Sequence, residues 1–155
     1  MKTLAGFDIG GTKCAVIAGV LTGTKQPEIL CKKQFATADH PDPLDCVTHL
    51  LEILQEMRQT HSDWEMESLG ISCGGPLDPI QGIIQSPPNL PGWDNIPITQ
   101  ICEAKLGIPA RLQNDANACA LAECQRACKM AGFQACKMAE VICRFSLICF
   151  TILQF

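Results

Sequence analysis

Phe7-Asp8-Ile9-Gly10-Gly11-Thr12-Lys13 stands close to the start of this 155-residue chain, a carboxylate and two adjacent glycines set between two apolar runs. The flanks, Leu4 to Ile9 and Cys14 to Leu21, are of strand length and rich in apolar and β-branched residues, so the glycine pair reads as a tight hairpin turn. Two glycines permit positive φ and leave no side chains in the way, so a phosphate group could approach the backbone N–H groups of Gly11, Thr12 and Lys13. Asp8, just before the turn, suits a Mg²⁺ ion held through water. The same residues equally suit a plain hairpin whose Asp and Thr close turn hydrogen bonds. The stretch is neither a Walker loop nor G-x-G-x-x-G. The remainder of the chain has to decide between the two readings.

Working outward, Glu28 to Thr37 reads as a third strand after a polar turn at 22–27, which makes the opening an antiparallel meander. In the second strand both alternating sets are apolar, Cys14, Val16, Ala18 and Val20 on one face and Ala15, Ile17 and Leu21 on the other. A strand buried on both faces calls for helices above and below the sheet. The first helix is announced by Asp42 as N-cap and Pro43 at the first helical position, followed by Leu44, Val47, Leu51 and Leu54, and it should end near Thr60.

Leu69 to Cys73 then reads as a parallel strand running straight into Gly74-Gly75-Pro76, and glycines at a strand's carboxyl end are where ligands meet backbone in α/β sheets. A β-turn closed by Pro76 is the plainer alternative. Gly82 to Ser86 reads as a short strand. It is followed by Pro87-Pro88-Asn89-Leu90-Pro91-Gly92-Trp93, a stiff loop in which Pro91-Gly92 fits the centre of a type II turn. Asn89 offers a polyol both donor and acceptor, while Trp93 either joins that surface or plugs the core edge. A second helix is expected from about Pro97 to Leu106, with Ile98, Ile101 and Cys102 on one face and Gly107 as its stop. Ala110 to Gln113 is a last short strand. Asn114-Asp115 follows it, before a helix-prone stretch at 116–123. Asp115 at that junction is either an N-cap or a general base at the sheet's carboxyl edge.

Composition narrows the partners. A net charge of −4, a pI near 5.3 and no Lys/Arg cluster argue against a nucleic-acid surface. Residues 1–10 lack the long apolar core of a signal peptide, so a cytoplasmic location is expected. In that setting the eleven cysteines read as reduced thiols. No C-x-x-C occurs, and His40, His49 and His61 lie far in sequence from the cysteine-rich end, so no zinc site is expected. Cys14, Cys73, Cys102 and Cys119 lie in segments that suit buried structural thiols.

Four ordered segments, Asp8-Ile9-Gly10-Gly11-Thr12-Lys13, Gly74-Gly75-Pro76-Leu77-Asp78, Ser86-Pro87-Pro88-Asn89-Leu90-Pro91-Gly92-Trp93 and Asn114-Asp115-Ala116-Asn117-Ala118, closely resemble the ROK family of bacterial sugar kinases and related repressors over residues 1 to about 123. The resemblance implies an α/β fold, the N-terminal lobe of an actin-like ATPase (ribonuclease H-like). In it a mixed sheet begins with three antiparallel strands and carries helices on both faces. It assigns Gly10, Gly11, Thr12 and Lys13 to the nucleotide phosphates, with Asp8 near Mg²⁺. It gives Gly74, Gly75, Asn89 and Asn114 to the sugar, and makes Asp115 the base that takes the proton from the attacking hydroxyl. The implied activity is ATP-dependent phosphorylation of a hexose, glucose by default, at its primary hydroxyl.

After Glu123 the chain departs from the family pattern. Cys-Lys-Met-Ala occurs at 128 and again at 136, five of the eleven cysteines fall within 124–155, and residues 141–155 are mostly apolar. That last run is too short to span a bilayer and suits a strand from Phe145 to Leu153 or an adhesive tail. No position matches the second lobe of ROK kinases, with its further phosphate motif and its His/Cys zinc site. The expectation is therefore a lobe at 1–123 and an off-family tail at 124–155, truncated relative to the family, with one wall of the cleft and a tendency to self-associate into homo-oligomers. The alternative function is a non-catalytic sugar-binding or repressor-related protein. A repressor's N-terminal helix-turn-helix would have no room before the first strand.

Overall fold

The computed structural model describes residues 1–21 and 27–120, without the side chains of Leu21 and Pro27. The turn at 22–26, the last three residues of the helix-prone stretch (121–123) and the whole tail at 124–155, with the strand expected from Phe145 to Leu153, lie outside the described residues.

The meander forms as expected: β1 (Lys2–Ile9), β2 (Lys13–Leu21) and β3 (Pro27–Ala36) pair antiparallel in order. α1 (Pro43–Thr60) starts on Asp42, whose Oδ1 accepts from the N–H groups of Leu44 and Asp45 at 2.9 and 3.0 Å. It ends at Thr60, where the sequence put its end. β4 (Glu65–Cys73) returns parallel to β1, and β7 (Ala110–Asn114) pairs parallel to β4 after α2 (Ile98–Leu106), giving the sheet order β3-β2-β1-β4-β7. A hairpin of β5 (Leu77–Asp78) and β6 (Ile83–Ile84) stands apart as a second sheet.

Alternation along the strands divides the burial between two faces. Ala5, Phe7 and Ile9 of β1 line up with Ala18, Val16 and Cys14 of β2 and with Leu69, Ile71 and Cys73 of β4, and this face packs on α1 and α2. α1 lies over β2 and α2 beside β7. The opposite face carries Leu4, Ala15 and Ile17, covered by Ala118 from helical backbone at 115–120. Helices on both faces follow from β2 being apolar on both sides, and each large side chain withdrawn from water contributes about 1.5–3 kcal/mol.

Several boundaries move. Thr37 leaves β3 and opens a 3₁₀ turn, Thr37–Asp39. β4 begins at Glu65 rather than Leu69, because Met66 is buried between exposed Glu65 and Glu67 and the strand pairs with β1 from its first residue. The strand expected at Gly82 to Ser86 shrinks to Ile83–Ile84, because Gly82 at φ 70° and Ser86 at φ 49° both leave the extended conformation. Leu44, expected on the core face of α1, is 56% exposed, while Cys46, Leu50 and Met57 face inward. Ile101 is only half-buried beside buried Ile98 and Cys102. Cys14, Cys73 and Cys102 are buried as expected, but Cys119 is half-buried. Gly107 adopts φ 67° and stops α2, and its N–H bonds the Glu103 carbonyl. Among the described residues no helix is long and apolar enough to cross a membrane.

Candidate active site

Three parallel strands end on one line. Ile9 of β1 faces Cys73 of β4, and Cys73 faces Asn114 of β7. The next residue of each strand, Gly10, Gly74 and Asp115, therefore emerges side by side at the carboxyl edge of the sheet. Register alone gathers three segments that lie more than sixty and a hundred residues apart in the chain.

The turn after β1 is closed by the Gly10 N–H donating to the Lys13 carbonyl at 3.1 Å. Neither Gly10 nor Gly11 uses the positive φ that glycine permits. Their need for glycine is spatial. A Cβ on Gly11 would run into the Asn89 carbonyl oxygen and come within 2.8 Å of the Asn89 Cβ, and a Cβ on Gly10 would stand 2.9 Å from the Lys13 carbonyl. Gly11, Thr12 and Lys13 are exposed, and the Gly11 N–H meets no acceptor among the described residues.

Asn89 reaches the turn on a loop built from two consecutive turns. The Leu90 N–H donates to the Pro87 carbonyl at 3.0 Å, and the Trp93 N–H to the Leu90 carbonyl at 3.2 Å. Gly92 has φ 82°, as a type II turn over Pro91-Gly92 requires. Leu90 and Trp93 are buried and pin the loop, which settles Trp93 as a core plug and leaves Asn89 exposed against Gly11.

On the other side, Asn114 rather than Asp115 caps the helical turn: its Oδ1 accepts from the N–H groups of Ala116 and Asn117 at 3.1 and 3.4 Å. Its Nδ2 is left facing Gly75, where a Cβ would stand 3.2 Å away. Asp115 accepts from the Ala116 N–H through Oδ1 at 2.7 Å. Its Oδ2 lies across from Gly74, 3.9 Å from where a Cβ would be.

Asp8, Ser72 and Gln113 form the row just inside this edge. Burial, and then the negative charge of Asp115, raise the Asp8 carboxyl to about 6 against the opposing influence of Lys32 and Ser72. The Ser72 hydroxyl is close enough to favour ionised Asp8, yet it is buried and meets no partner at hydrogen-bonding geometry among the described residues. A crowded carboxylate beside an orphaned buried hydroxyl is a donor set that a hydrated divalent cation would satisfy, so these residues fit Mg²⁺. Burial, with Asp115 next, pushes the Cys73 thiol up to about 12, so it stays protonated within the wall of the site.

Thr37 and Ser72 carry weight that the sequence did not reveal. Thr37 entered only as the end of a strand, and its bonds reach residues more than twenty positions away. Ser72 entered only as a strand residue, and its meaning comes from register with Asp8.

Three parallel strands extended by an antiparallel pair, with a glycine turn at their carboxyl end, place the chain in the actin-like ATPase fold. The chain belongs to the ROK family, whose model matches residues 4–132 and so runs on past Glu123. It is 32% identical over 120 residues to a glucokinase of Thermotoga maritima, covering 77% of this chain and 36% of that protein. Among solved structures it resembles a ROK hexokinase from Thermus thermophilus, with 35% identity, a TM-score of 0.63, and coverage of 78% of this chain and 38% of the other. It also resembles a ROK family glucokinase from Streptomyces griseus in complex with glucose and AMPPNP, with 29% identity, a TM-score of 0.64, and coverage of 78% and 36%. The chain thus spans little more than a third of the length of the relatives it matches.

Proposed function

We propose that this lobe serves an ATP-dependent hexose kinase of the glucokinase kind, which phosphorylates the primary hydroxyl of glucose. The observation that carries the reading is the shared edge of Gly10, Gly74 and Asp115, which brings the glycine turn and a carboxylate to one place. Its support is the similarity to glucokinases, one of them holding glucose and AMPPNP.

In this reading the amides of Gly11, Thr12 and Lys13 hold the nucleotide phosphates, and Asp8, with Ser72 beside it, is the residue toward Mg²⁺. The cation supplies charge neutralisation at the phosphoryl group. Asn89, the Asn114 Nδ2 and the backbone at Gly74 and Gly75 hydrogen-bond the sugar hydroxyls and so fix which oxygen is presented. Asp115 Oδ2 accepts the proton of that hydroxyl as its oxygen bonds to the γ-phosphorus and ADP leaves. Because Asn114 does the capping, Asp115 keeps one oxygen for this task. A carboxylate held open in this way favours the kinase over a sugar-binding receptor, which has no proton to remove.

The test is a coupled ADP-release assay on the 155-residue chain across a hexose panel, with calorimetry of hexose binding with and without Mg·ATP. Asp115→Asn is expected to keep hexose binding and to lose at least a hundredfold in turnover. Undiminished turnover in that variant removes Asp115 from the mechanism, and absence of hexose binding by the wild type removes the sugar reading.

A further inference from the structure

We propose that Thr37 is the positioning residue of the Gly10–Lys13 turn, holding it in the conformation that presents its amides to phosphate; the part of this that concerns phosphate rests on the kinase reading. Thr37 grips the turn at two points. Its hydroxyl donates to the Gly10 carbonyl at 2.7 Å, and its N–H donates to the Thr12 carbonyl at 3.0 Å. With its proton committed to Gly10, the hydroxyl oxygen is left as the acceptor toward the Cys14 thiol, 3.3 Å away. The side chain is buried, so both its donor and acceptor capacities are spent on the turn and the residue that follows it.

Peptide planarity makes this grip directional. In a trans peptide the C=O and the following N–H point in opposite senses. Turning the Gly10 and Thr12 carbonyls toward Thr37 therefore aims the N–H groups of Gly11 and Lys13 away from it. Two amides whose peptide planes are fixed in this way can serve an anion without any positive φ. This answers how the turn is organised when neither glycine takes a left-handed conformation.

Thr37 is itself held firmly. It opens the 3₁₀ turn between β3 and α1, where its carbonyl accepts from the His40 N–H at 3.1 Å, and His40 Nδ1 meets Asp45 of α1 at 2.7 Å. The first turn of α1 thus anchors the residue that orients the glycine turn, and Cys46 of the same helix faces Cys14 at 3.9 Å between the sulfurs.

The experiment compares the wild-type chain with Thr37→Val, which keeps the β-branched shape and removes the hydroxyl, and Thr37→Ser, which keeps the hydroxyl. Amide hydrogen exchange at Gly10 and at position 37, whose N–H groups bond the Lys13 and Thr12 carbonyls, is followed by NMR, and Mg·ATP and inorganic tripolyphosphate are titrated. Thr37→Val is expected to speed exchange at these amides and to weaken both ligands by about tenfold, while Thr37→Ser stays within about threefold of wild type. Unchanged turn exchange in Thr37→Val, or a Thr37→Ser variant as impaired as Thr37→Val, overturns the inference. In the wild type the Thr37 hydroxyl proton is expected to exchange slowly enough to be observed; a freely exchanging proton overturns the clamp even where Thr37→Val does not fold. A wild-type chain that binds neither ligand removes the phosphate reading, and amide exchange then still decides whether Thr37 holds the turn.

Discussion

Gly11 lies against the backbone of Asn89, so closely that a methyl group on Gly11 would strike the Asn89 carbonyl and approach its Cβ to 2.8 Å. Two segments nearly eighty residues apart in sequence are packed without a side chain between them, the residue proposed for phosphate beside the residue proposed for sugar. Gly11→Ala is expected to displace the Asn89 loop and to cost about 1–3 kcal/mol, because backbone cannot swing aside as a side chain can. Gly75→Ala meets nothing nearer than the Asn114 Nδ2 at 3.2 Å, a side-chain atom that need give only a few tenths of an ångström, and should cost less than about 1 kcal/mol. Urea denaturation of the two variants measures the difference, and equal costs would contradict it.

Asp8 makes stability depend on pH in an unusual direction. Its carboxyl is raised from 3.8 to about 6, so the folded chain keeps a proton that the unfolded chain releases. The contribution is present below about pH 4 and is lost as pH rises through about 6, an effect of at most about 3 kcal/mol. Asp8→Asn cannot titrate at this position. Its stability relative to wild type should therefore climb between pH 4 and pH 7, as read from urea midpoints across that range. Binding of Mg·ATP by the wild type should strengthen over the same interval, as Asp8 ionises.

The cap of α1 makes a local prediction. Asp42 satisfies two first-turn N–H groups, those of Leu44 and Asp45, from an exposed position. Asp42→Ala should cost about 1 kcal/mol and Asp42→Ser markedly less, measured by thermal unfolding. The loss should not change the exchange of the Gly10 amide, which depends on its bond to Lys13.

Thr3 offers the opposite sign. Its hydroxyl is buried and has no partner among the described residues, which leaves its desolvation unrepaid there. Thr3→Val keeps the shape and removes the polar atom, and the change should be neutral or stabilising by about 1–2 kcal/mol in urea denaturation. A destabilisation beyond about 1 kcal/mol would show that the hydroxyl has a partner in solution.

The sequence by itself determined the elements whose signals are local. The Asp42-Pro43 start and the end of α1 near Thr60, the Gly107 stop, the type II turn at Pro91-Gly92 and the double burial of β2 each depend on residues within a few positions of one another. The family resemblance also grouped Asp8, Gly10, Gly11, Asn89 and Asp115 among the candidate site residues. The tertiary structure decided what those residues do to each other. Parallel register, invisible in any single strand, lines up Gly10, Gly74 and Asp115 and puts Ser72 beside Asp8. Close backbone approach, rather than the positive φ that a glycine pair suggests, is the reason for Gly11. Cap choice passed from Asp115 to Asn114 because Asn114 stands one residue before the helical turn, where its Oδ1 reaches both free N–H groups. Thr37, with nothing in its neighbourhood to mark it, became the clamp of the turn because β3 delivers it to Gly10 and Thr12 across the sheet edge. Local chemistry fixes where chains turn and helices begin; contacts between residues distant in sequence exist only once the sheet has closed.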